Sequence, residues 1–146
     1  MEVLLKNLTK VFPSRNKKSG EEVVAVNDMT ITIPDGKLVG LLGPSGCGKS
    51  TTLYMICGLQ KATGGQIFFG KDDVTNLTPE NRGVGLVFQN YALYPHLTVK
   101  QNILFPLQNL KGEDKLSKDE MLKRAIDVAR LVQIDNLLDR KPSELS

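Results

Sequence analysis

Short apolar stretches separated by polar residues predict strands in the first third of the chain. Residues 29–33 alternate apolar and threonine side chains, and this period of two places Met, Ile and Ile on one face of a strand. Residues 3–5 and the β-branched residues 23–26 are predicted as two further short strands. Residues 13–22 are polar and contain Pro, Ser and Gly, which predicts a loop.

Two continuous apolar runs, residues 38–42 and 84–88, predict strands of a parallel sheet, because such strands are buried on both faces. The Pro-Asp-Gly sequence at residues 34–36 predicts a turn before the first run. Residues 66–69 form a further predicted strand, and residues 71–82 a polar connector.

Two capping boxes, Thr98 with Gln101 and Ser117 with Glu120, predict helices after residue 98. Pro106 is expected to limit the first helix. Apolar residues recur at helical spacing along the second helix, at Met121, Leu122, Ala125, Ile126, Ala129 and Val132.

The composition is that of a globular domain: 146 residues, 40% hydrophobic, 24% charged and a net charge of +3. No apolar run approaches the roughly 20 residues that cross a bilayer, and the N-terminus does not resemble a signal peptide. We therefore expect a cytoplasmic chain that reaches a membrane only through a partner. Cys47 and Cys57 are too few for a disulfide framework or a zinc cluster.

Residues 43–51 match the phosphate-binding pattern G-x-x-x-x-G-K-[ST] without a mismatch. An apolar run precedes them, and a predicted helix over residues 49–57, ended by Gly58, follows them. Small residues let backbone N–H groups point inward toward phosphate oxygens, and the helix N-terminus favours the same anion. The residues of this Walker A loop are Gly43, Pro44, Ser45, Gly46, Cys47, Gly48, Lys49, Ser50 and Thr51.

Three side chains of the Walker A loop have expected roles. Lys49 is expected to reach the β- and γ-phosphates, Ser50 to bind Mg²⁺, and Thr51 to bond the α-phosphate. The alternative is a glycine-rich turn that only resembles the pattern. The sequence predicts that the chain binds ATP or GTP.

Two residues outside the loop are ambiguous from the residues alone. Gln89 follows the predicted strand 84–88, at the sheet edge where ligands bind, so it either carries Mg²⁺ or orients a water, or merely ends the strand. Phe12 follows a short strand, and an aromatic there either stacks on a base or belongs to the core.

Taken together, these motifs resemble the ATPase subunits of ABC transporters. The residues that carry the resemblance are the stretch from Leu8 to Phe12 (LTKVF), the Walker A loop, and the stretch from Val84 to Val99 (VGLVFQNYALYPHLTV). The last stretch is similar to the Q-loop region of importer ATPases, above all those for carbohydrates. The resemblance covers essentially the whole chain.

The resemblance implies roles for the ambiguous residues and for partners. Phe12 becomes the aromatic that stacks on adenine, and Gln89 the Q-loop glutamine that couples the γ-phosphate and Mg²⁺ to the helical subdomain. The stretch from Tyr91 to Leu97 would receive the transmembrane permease subunits. The full-length form would work as a homodimer or paired with another ATPase subunit, peripheral on the cytoplasmic face of the membrane, with no nucleic acid as partner.

The sequence departs from the family where hydrolysis is carried out. No apolar strand runs into Asp and then Glu; the nearest segment ends at Asp139, with Arg140 in place of the catalytic Glu. The chain stops at the Leu-Ser that opens the family's signature motif. We therefore expect a piece of a longer ATPase, able to bind ATP and Mg²⁺ but unable to hydrolyse ATP alone.

The expected fold is α/β: a P-loop NTPase core with an antiparallel β flank, and the start of an α-helical subdomain. Residues 1–88 would form the flank and core, and residues 89–146 the Q-loop and helical part of one incomplete ABC ATPase domain. The alternatives are a nucleotide-binding module that never hydrolyses, a non-transport ABC protein, a GTPase or a small-molecule kinase. The GTPase is disfavoured because residues 16–19 lack the Asp of N-K-x-D, and the kinase because no second basic substrate site is evident.

Overall fold

The computed structural model of the chain describes residues 1–13, 22–110 and 112–145. Most of the predicted loop at residues 13–22 and the Asn-Lys-Lys-Ser stretch therefore lie outside the described residues. The chain divides into two compact units, Met1–Leu86 and Val87–Ser146. Among the helices in the described ranges, none is long and apolar enough to cross a membrane.

The first unit contains an antiparallel sheet of four strands: β1 (Val3–Pro13), β2 (Glu22–Ile33), β3 (Gly64–Phe69) and the short β4 (Asp72–Asp73). Their order across the sheet is β2-β1-β3-β4. The predicted strand at residues 66–69 is confirmed within β3. The three short strands predicted in the first third were wrong in extent, because β1 and β2 are two long strands paired along their length.

Irregular strand pairing explains why the alternating pattern breaks inside these long strands. Asn7 and Asp28 adopt positive φ angles of 50° and 46°, and the β1–β2 register shifts between Leu5 and Leu8. The Asn7 side-chain amide donates to Asp28 Oδ1 at 2.8 Å, and the Asp28 N–H donates to Thr9 Oγ1 at 3.0 Å. Short polar side chains tolerate this backbone conformation, so the ladder continues past the break in hydrophobic pattern.

Helix α1 (Lys49–Ile56) packs on this sheet, and the predicted helix at residues 49–57 is confirmed. Gly58 follows it with a φ of +78°, and its N–H donates to the Met55 carbonyl at 3.1 Å. Side chains of the sheet, of α1 and of the connector after β4 share one apolar core. Its buried members are Leu5, Leu8, Val26, Met55, Ile67, Phe69 and Val74.

The apolar runs at residues 38–42 and 84–88 are not strands, so these two predictions were wrong. Leu38 and Leu42 are almost fully exposed, and Val87 is 88% exposed. A strand that is apolar on both faces is stable only between two neighbouring strands, and in the described part of the chain no strand pairs with either run. Of the residues in these two apolar runs, Val84 is the one that packs against the core of the first unit.

The second unit contains α2 (Val99–Gln108) and α3 (Lys118–Leu131), which pack on each other. Both predicted capping boxes are confirmed. Pro106 lies inside α2 instead of limiting it. Proline lacks the N–H donor and its ring crowds the carbonyl of residue i−4, yet the helix ends only two residues later, at Gln108.

The chain after α3 returns to the start of α2. The Val99 and Lys100 N–H groups donate to the Arg140 and Leu138 carbonyls, both at 2.8 Å, and the Lys100 ammonium pairs with Asp139 at 2.7 Å. These backbone bonds satisfy donors that a helix N-terminus leaves without partners. Short 3₁₀ turns at Asp135–Leu137 and Pro142–Glu144 carry the chain through this region.

Candidate functional site

The N-terminus of α1 is open to an anion. Gly48 occupies the N-cap position with a φ of +90° and supplies no side-chain cap, and the first turn of α1 contains no acidic residue. A helix N-terminus carries unpaired N–H donors and a partial positive charge. Since the N-cap residue makes no side-chain cap bond to these donors, the site suits phosphate oxygens.

Close contact with β2 fixes the position of Gly48. A Cβ atom at Gly48 would lie 2.2 Å from the Ala25 carbonyl oxygen and 3.2 Å from Val26 Cγ2. A side chain at this position would therefore overlap the backbone of β2, in addition to the strain of its positive φ. The glycine allows the Walker A loop to lie directly against the sheet.

The Lys49 ammonium lies at the start of the same loop. Its Nζ donates to the Gly43 and Pro44 carbonyl oxygens, both at 2.7 Å, and lies 3.4 Å from Cys47 Sγ. Two neutral carbonyls only partly satisfy an ammonium group, which has three N–H donors and favours charged acceptors. An anion at the N-terminus of α1 would meet both the helix dipole and this charge.

The residues after Lys49 divide between an exposed face and the core. Ser50 is exposed and Thr51 is half-buried, whereas Thr52 is fully buried. The Thr52 hydroxyl donates to the Gly48 carbonyl oxygen at 3.0 Å, so its polar atom is satisfied. The hydroxyl predicted to bind Mg²⁺, that of Ser50, thus lies on the exposed side of the helix.

Phe12 lies on β1, opposite Val23 of β2. Val23 is two residues from Ala25, against which Gly48 packs, so the sheet register places Phe12 and the Walker A loop on the same part of the first unit. The Phe12 ring is half-buried, and the Lys10 ammonium lies 4.9 Å from its centroid. Lys10 also donates to the Lys61 carbonyl oxygen at 2.7 Å.

The buried Arg82 supports the other end of α1, and it was not among the predicted site residues. Its guanidinium donates to the Met55 and Ile56 carbonyls at 2.8 and 2.9 Å, and to the Leu77 and Thr75 carbonyls, both at 2.9 Å. Burial lowers the pKa of Arg82. The sequence signal for this role is small. It consists of a basic residue at the end of a polar connector, about 25 positions after a predicted helix.

Cys57, next to this guanidinium, is the second cysteine of the chain and is buried. Burial raises the pKa of the Cys57 thiol, and the charge of Arg82 opposes this effect. A thiol with a raised pKa remains protonated and unreactive at neutral pH. Cys57 is therefore a structural residue, in contrast to the exposed Cys47 of the Walker A loop.

Gln89 belongs to the second unit, where it is exposed in a turn. The residues that follow it, 91–97, form a loop that we call the 91–97 loop. Tyr91 and Ala92 have positive φ angles of 62° and 50°. Tyr94 packs against Phe105 of α2, with ring centroids 4.8 Å apart. The tyrosine side chains of the 91–97 loop, Tyr91 and Tyr94, are exposed.

The family model described as "ABC transporter" matches residues 26–146. The chain is 46% identical over 145 residues to the xylose/arabinose import ATP-binding protein of Haloferax volcanii, covering 99% of this chain and 35% of that protein. It is 42% identical over 130 residues to the sn-glycerol-3-phosphate import ATP-binding protein of Bartonella bacilliformis, covering 89% of this chain and 36% of that one. The chain thus spans about a third of the length of these relatives.

A solved structure with the same fold is that of the ATP-binding cassette MJ0796, a dimer in a post-hydrolysis state bound to ADP and Pi. The TM-score is 0.83 at 32% identity, covering 99% of this chain and 63% of that chain. The predicted fold class, an α/β ABC ATPase fragment with an antiparallel flank, is confirmed by this similarity. With a family model matching most of its length, the chain belongs to the ABC transporter family.

Proposed function

We propose that the chain binds ATP with Mg²⁺ at the Walker A loop. The observation that carries this proposal is the uncapped N-terminus of α1 beside the Lys49 ammonium. This arrangement offers backbone donors and a positive charge to the same anion. A triphosphate supplies the several acceptor oxygens that would replace the two carbonyls now bonded to Lys49.

Each residue of the loop then has a defined task. Lys49 would bond the β- and γ-phosphates, Ser50 would bind Mg²⁺ through its exposed hydroxyl, and Thr51 would bond the α-phosphate. Phe12 would stack on the base and Gln89 would be a second ligand or orienting group for the metal. Bound Mg²⁺ would neutralise the charge of the β- and γ-phosphates.

For the longer protein, we propose an ATPase subunit of an importer that couples ATP hydrolysis to solute uptake. Two of the similar relatives are named for xylose/arabinose and for sn-glycerol-3-phosphate import. We therefore propose that the imported solute is an organic compound of the sugar class. The dimeric state of MJ0796 supports pairing of two ATPase subunits. The boundary between the units Met1–Leu86 and Val87–Ser146 supports the division of the incomplete domain near residue 88.

We further propose that the permease subunits bind through the 91–97 loop on the cytoplasmic face of the membrane. Tyr91, Leu93 and Tyr94 are exposed, and tyrosine combines apolar area with a polar end, as protein interfaces favour.

The 146 residues include no apolar segment that leads into Asp and then Glu, the residues that hydrolysis requires in this family. The chain by itself should therefore bind ATP without sustained hydrolysis.

Titration with a fluorescent ATP analogue and Mg²⁺ tests the binding proposal. The wild-type chain should bind, and Lys49→Ala should weaken binding at least about tenfold, since it removes a charge-assisted contact to phosphate. Lys71→Ala is the matched control, because Lys71 is an exposed lysine in the turn between β3 and β4. Equal affinity in wild type and Lys49→Ala would refute binding through this loop.

A further inference from the structure

The side-chain amide of Asn102, on α2, holds the 91–97 loop. Its Oδ1 accepts the Tyr94 N–H at 2.9 Å, and its Nδ2 donates to the Tyr94 carbonyl at 3.2 Å. The same Nδ2 lies 3.2 Å from the Leu97 carbonyl and 3.0 Å from the Thr98 carbonyl. One half-buried side chain thus bonds both ends of the segment between Tyr94 and Thr98.

This pairing is specific to a carboxamide. Asn102 binds both polar backbone groups of Tyr94, which requires an acceptor and a donor on the same planar group. A carboxylate of the same shape would keep the acceptor and lose the N–H donors, and would face three carbonyl oxygens. An apolar isostere would lose every bond.

The loop needs such support because part of its backbone is strained. Tyr91 and Ala92 are consecutive residues with positive φ, a conformation that a bulky side chain rarely adopts. Strained residues persist only where the surrounding structure holds them. The Tyr91 N–H bonds the Phe88 carbonyl and the Ala92 N–H bonds the Asn90 carbonyl, while Asn102 fixes the chain on the other side of Leu93.

The loop held in this way borders a cleft within the second unit. Val87, Asn90, Tyr91, Leu93, Pro142 and Leu145 line this cleft, which has a volume of about 650 Å³. Tyr91 and Leu93 therefore present apolar surface at one wall of a concave site. Their positions depend on the backbone path between Asn90 and Tyr94, and Asn102 anchors the Tyr94 end of that path.

We propose that Asn102 is a positioning residue that holds the 91–97 loop in its binding conformation before a partner arrives. The inference rests on the proposed permease contact for its functional meaning, but the loop geometry can be tested without any partner. A binding loop that is ordered in advance loses less entropy on association, so its affinity is higher. Asn102 acts through the loop backbone and does not itself contact the partner.

Amide hydrogen exchange of the chain alone tests the geometric part. Asn102→Leu should speed exchange of the Tyr94 N–H at least about tenfold, and Asn102→Asp should speed it less, because the acceptor remains. Asn109→Asp is the matched control: Asn109 lies at the other end of α2, where its amide donates to the Phe105 carbonyl at 2.8 Å. Unchanged exchange in Asn102→Leu would overturn the inference.

Binding to proteoliposomes that carry the permease subunits of a sugar importer tests the functional part. Asn102→Leu should bind them about tenfold more weakly than wild type, with its affinity for the fluorescent ATP analogue unchanged. An equal loss of ATP affinity would show a general structural role and contradict positioning. If the wild-type chain does not bind the proteoliposomes, this result counts against the proposed permease contact itself. The hydrogen-exchange experiment then still decides whether Asn102 positions the 91–97 loop.

Discussion

Gly48 shows how one residue links the sheet to the phosphate site. Its φ of +90° and the 2.2 Å separation between a hypothetical Cβ and the Ala25 carbonyl oxygen require glycine for two independent reasons. The Walker A pattern predicts a glycine at this position, but the contact with β2 is a tertiary feature that no local pattern contains.

Gly48→Ala should lower the free energy of unfolding by about 2–4 kcal/mol, because it combines backbone strain with a backbone clash. Gly46→Ala is the control: Gly46 also has positive φ, at +82°, but a Cβ there would meet no atom within 4 Å. This control should cost about 1 kcal/mol. Urea unfolding followed by circular dichroism measures both, and equal losses would contradict the role of the Ala25 contact.

Within the described residues, the Arg82 guanidinium donates its hydrogen bonds to backbone carbonyl oxygens. Arg82→Met should lower the free energy of unfolding by about 3 kcal/mol or more, since it leaves the Met55 and Ile56 carbonyls of α1 without their bonds. Arg140→Met, at an exposed arginine, should change it by no more than about 0.5 kcal/mol. The same urea experiment measures the free energy of unfolding of both variants. A small loss in Arg82→Met would show that water bonds these carbonyls in place of the guanidinium, and would contradict this role of Arg82.

At the scale of elements, the sequence predicted best where the signal is local. The capping boxes at Thr98 and Ser117 and the glycine after α1 identified helix ends correctly, because each cap forms between residues a few positions apart. The Walker A pattern is also local and names all nine positions of its loop, but their role in binding stays a prediction.

Elements that depend on distant partners were predicted poorly. The apolar runs at residues 38–42 and 84–88 indicated strands, but a strand also requires neighbours, and the sequence of a run does not contain them. The full extent of β1 and β2 was missed because the bond that joins the Asn7 and Asp28 side chains links residues 21 positions apart. Arg82 was missed for the same reason, because two of its acceptors are the Met55 and Ile56 carbonyls, 27 and 26 positions away. The partners of Asn102 lie only four to eight positions away, but no local pattern marks a side chain that bonds a loop in this way.

The cap of α3 predicts a pH dependence. Hydrogen bonds from the Ser117 hydroxyl and then from the Ser117 N–H lower the pKa of Glu120. A carboxyl whose pKa is lower in the folded state stabilises the fold above its unfolded pKa, and this contribution is lost as the pH falls through the folded pKa. Wild type should therefore be more stable than Glu120→Gln at neutral pH.

This difference should shrink between about pH 5 and pH 3, as Glu120 takes up a proton. Thermal unfolding at a series of pH values measures it, with the exposed Glu113→Gln as control. A stability difference between wild type and Glu120→Gln that stays constant down to pH 3 would contradict the charged cap. Ser117→Ala, which removes the serine side of the same box, should cost about 1 kcal/mol at neutral pH.

At the scale of the whole molecule, the two proposed tasks lie in different units. The Walker A loop and Phe12 belong to Met1–Leu86, whereas the 91–97 loop and Asn102 belong to Val87–Ser146. Variants of Asn102 should therefore leave nucleotide binding by the Walker A loop intact. The almost fully exposed Leu38 and Leu42 are apolar surface of the kind that favours association, so binding experiments require low protein concentration.

The most direct test of the central claim is hydrogen exchange across residues 43–52 with ATP and Mg²⁺, with adenosine and Mg²⁺, and without ligand. If the N-terminus of α1 binds phosphate, ATP should slow exchange of the Lys49, Ser50 and Thr51 amides in the wild-type chain, and adenosine should not. Lys49→Ala should weaken this protection at the same ATP concentration. Equal exchange with ATP and without ligand, or equal slowing by adenosine, would contradict a phosphate site at this loop.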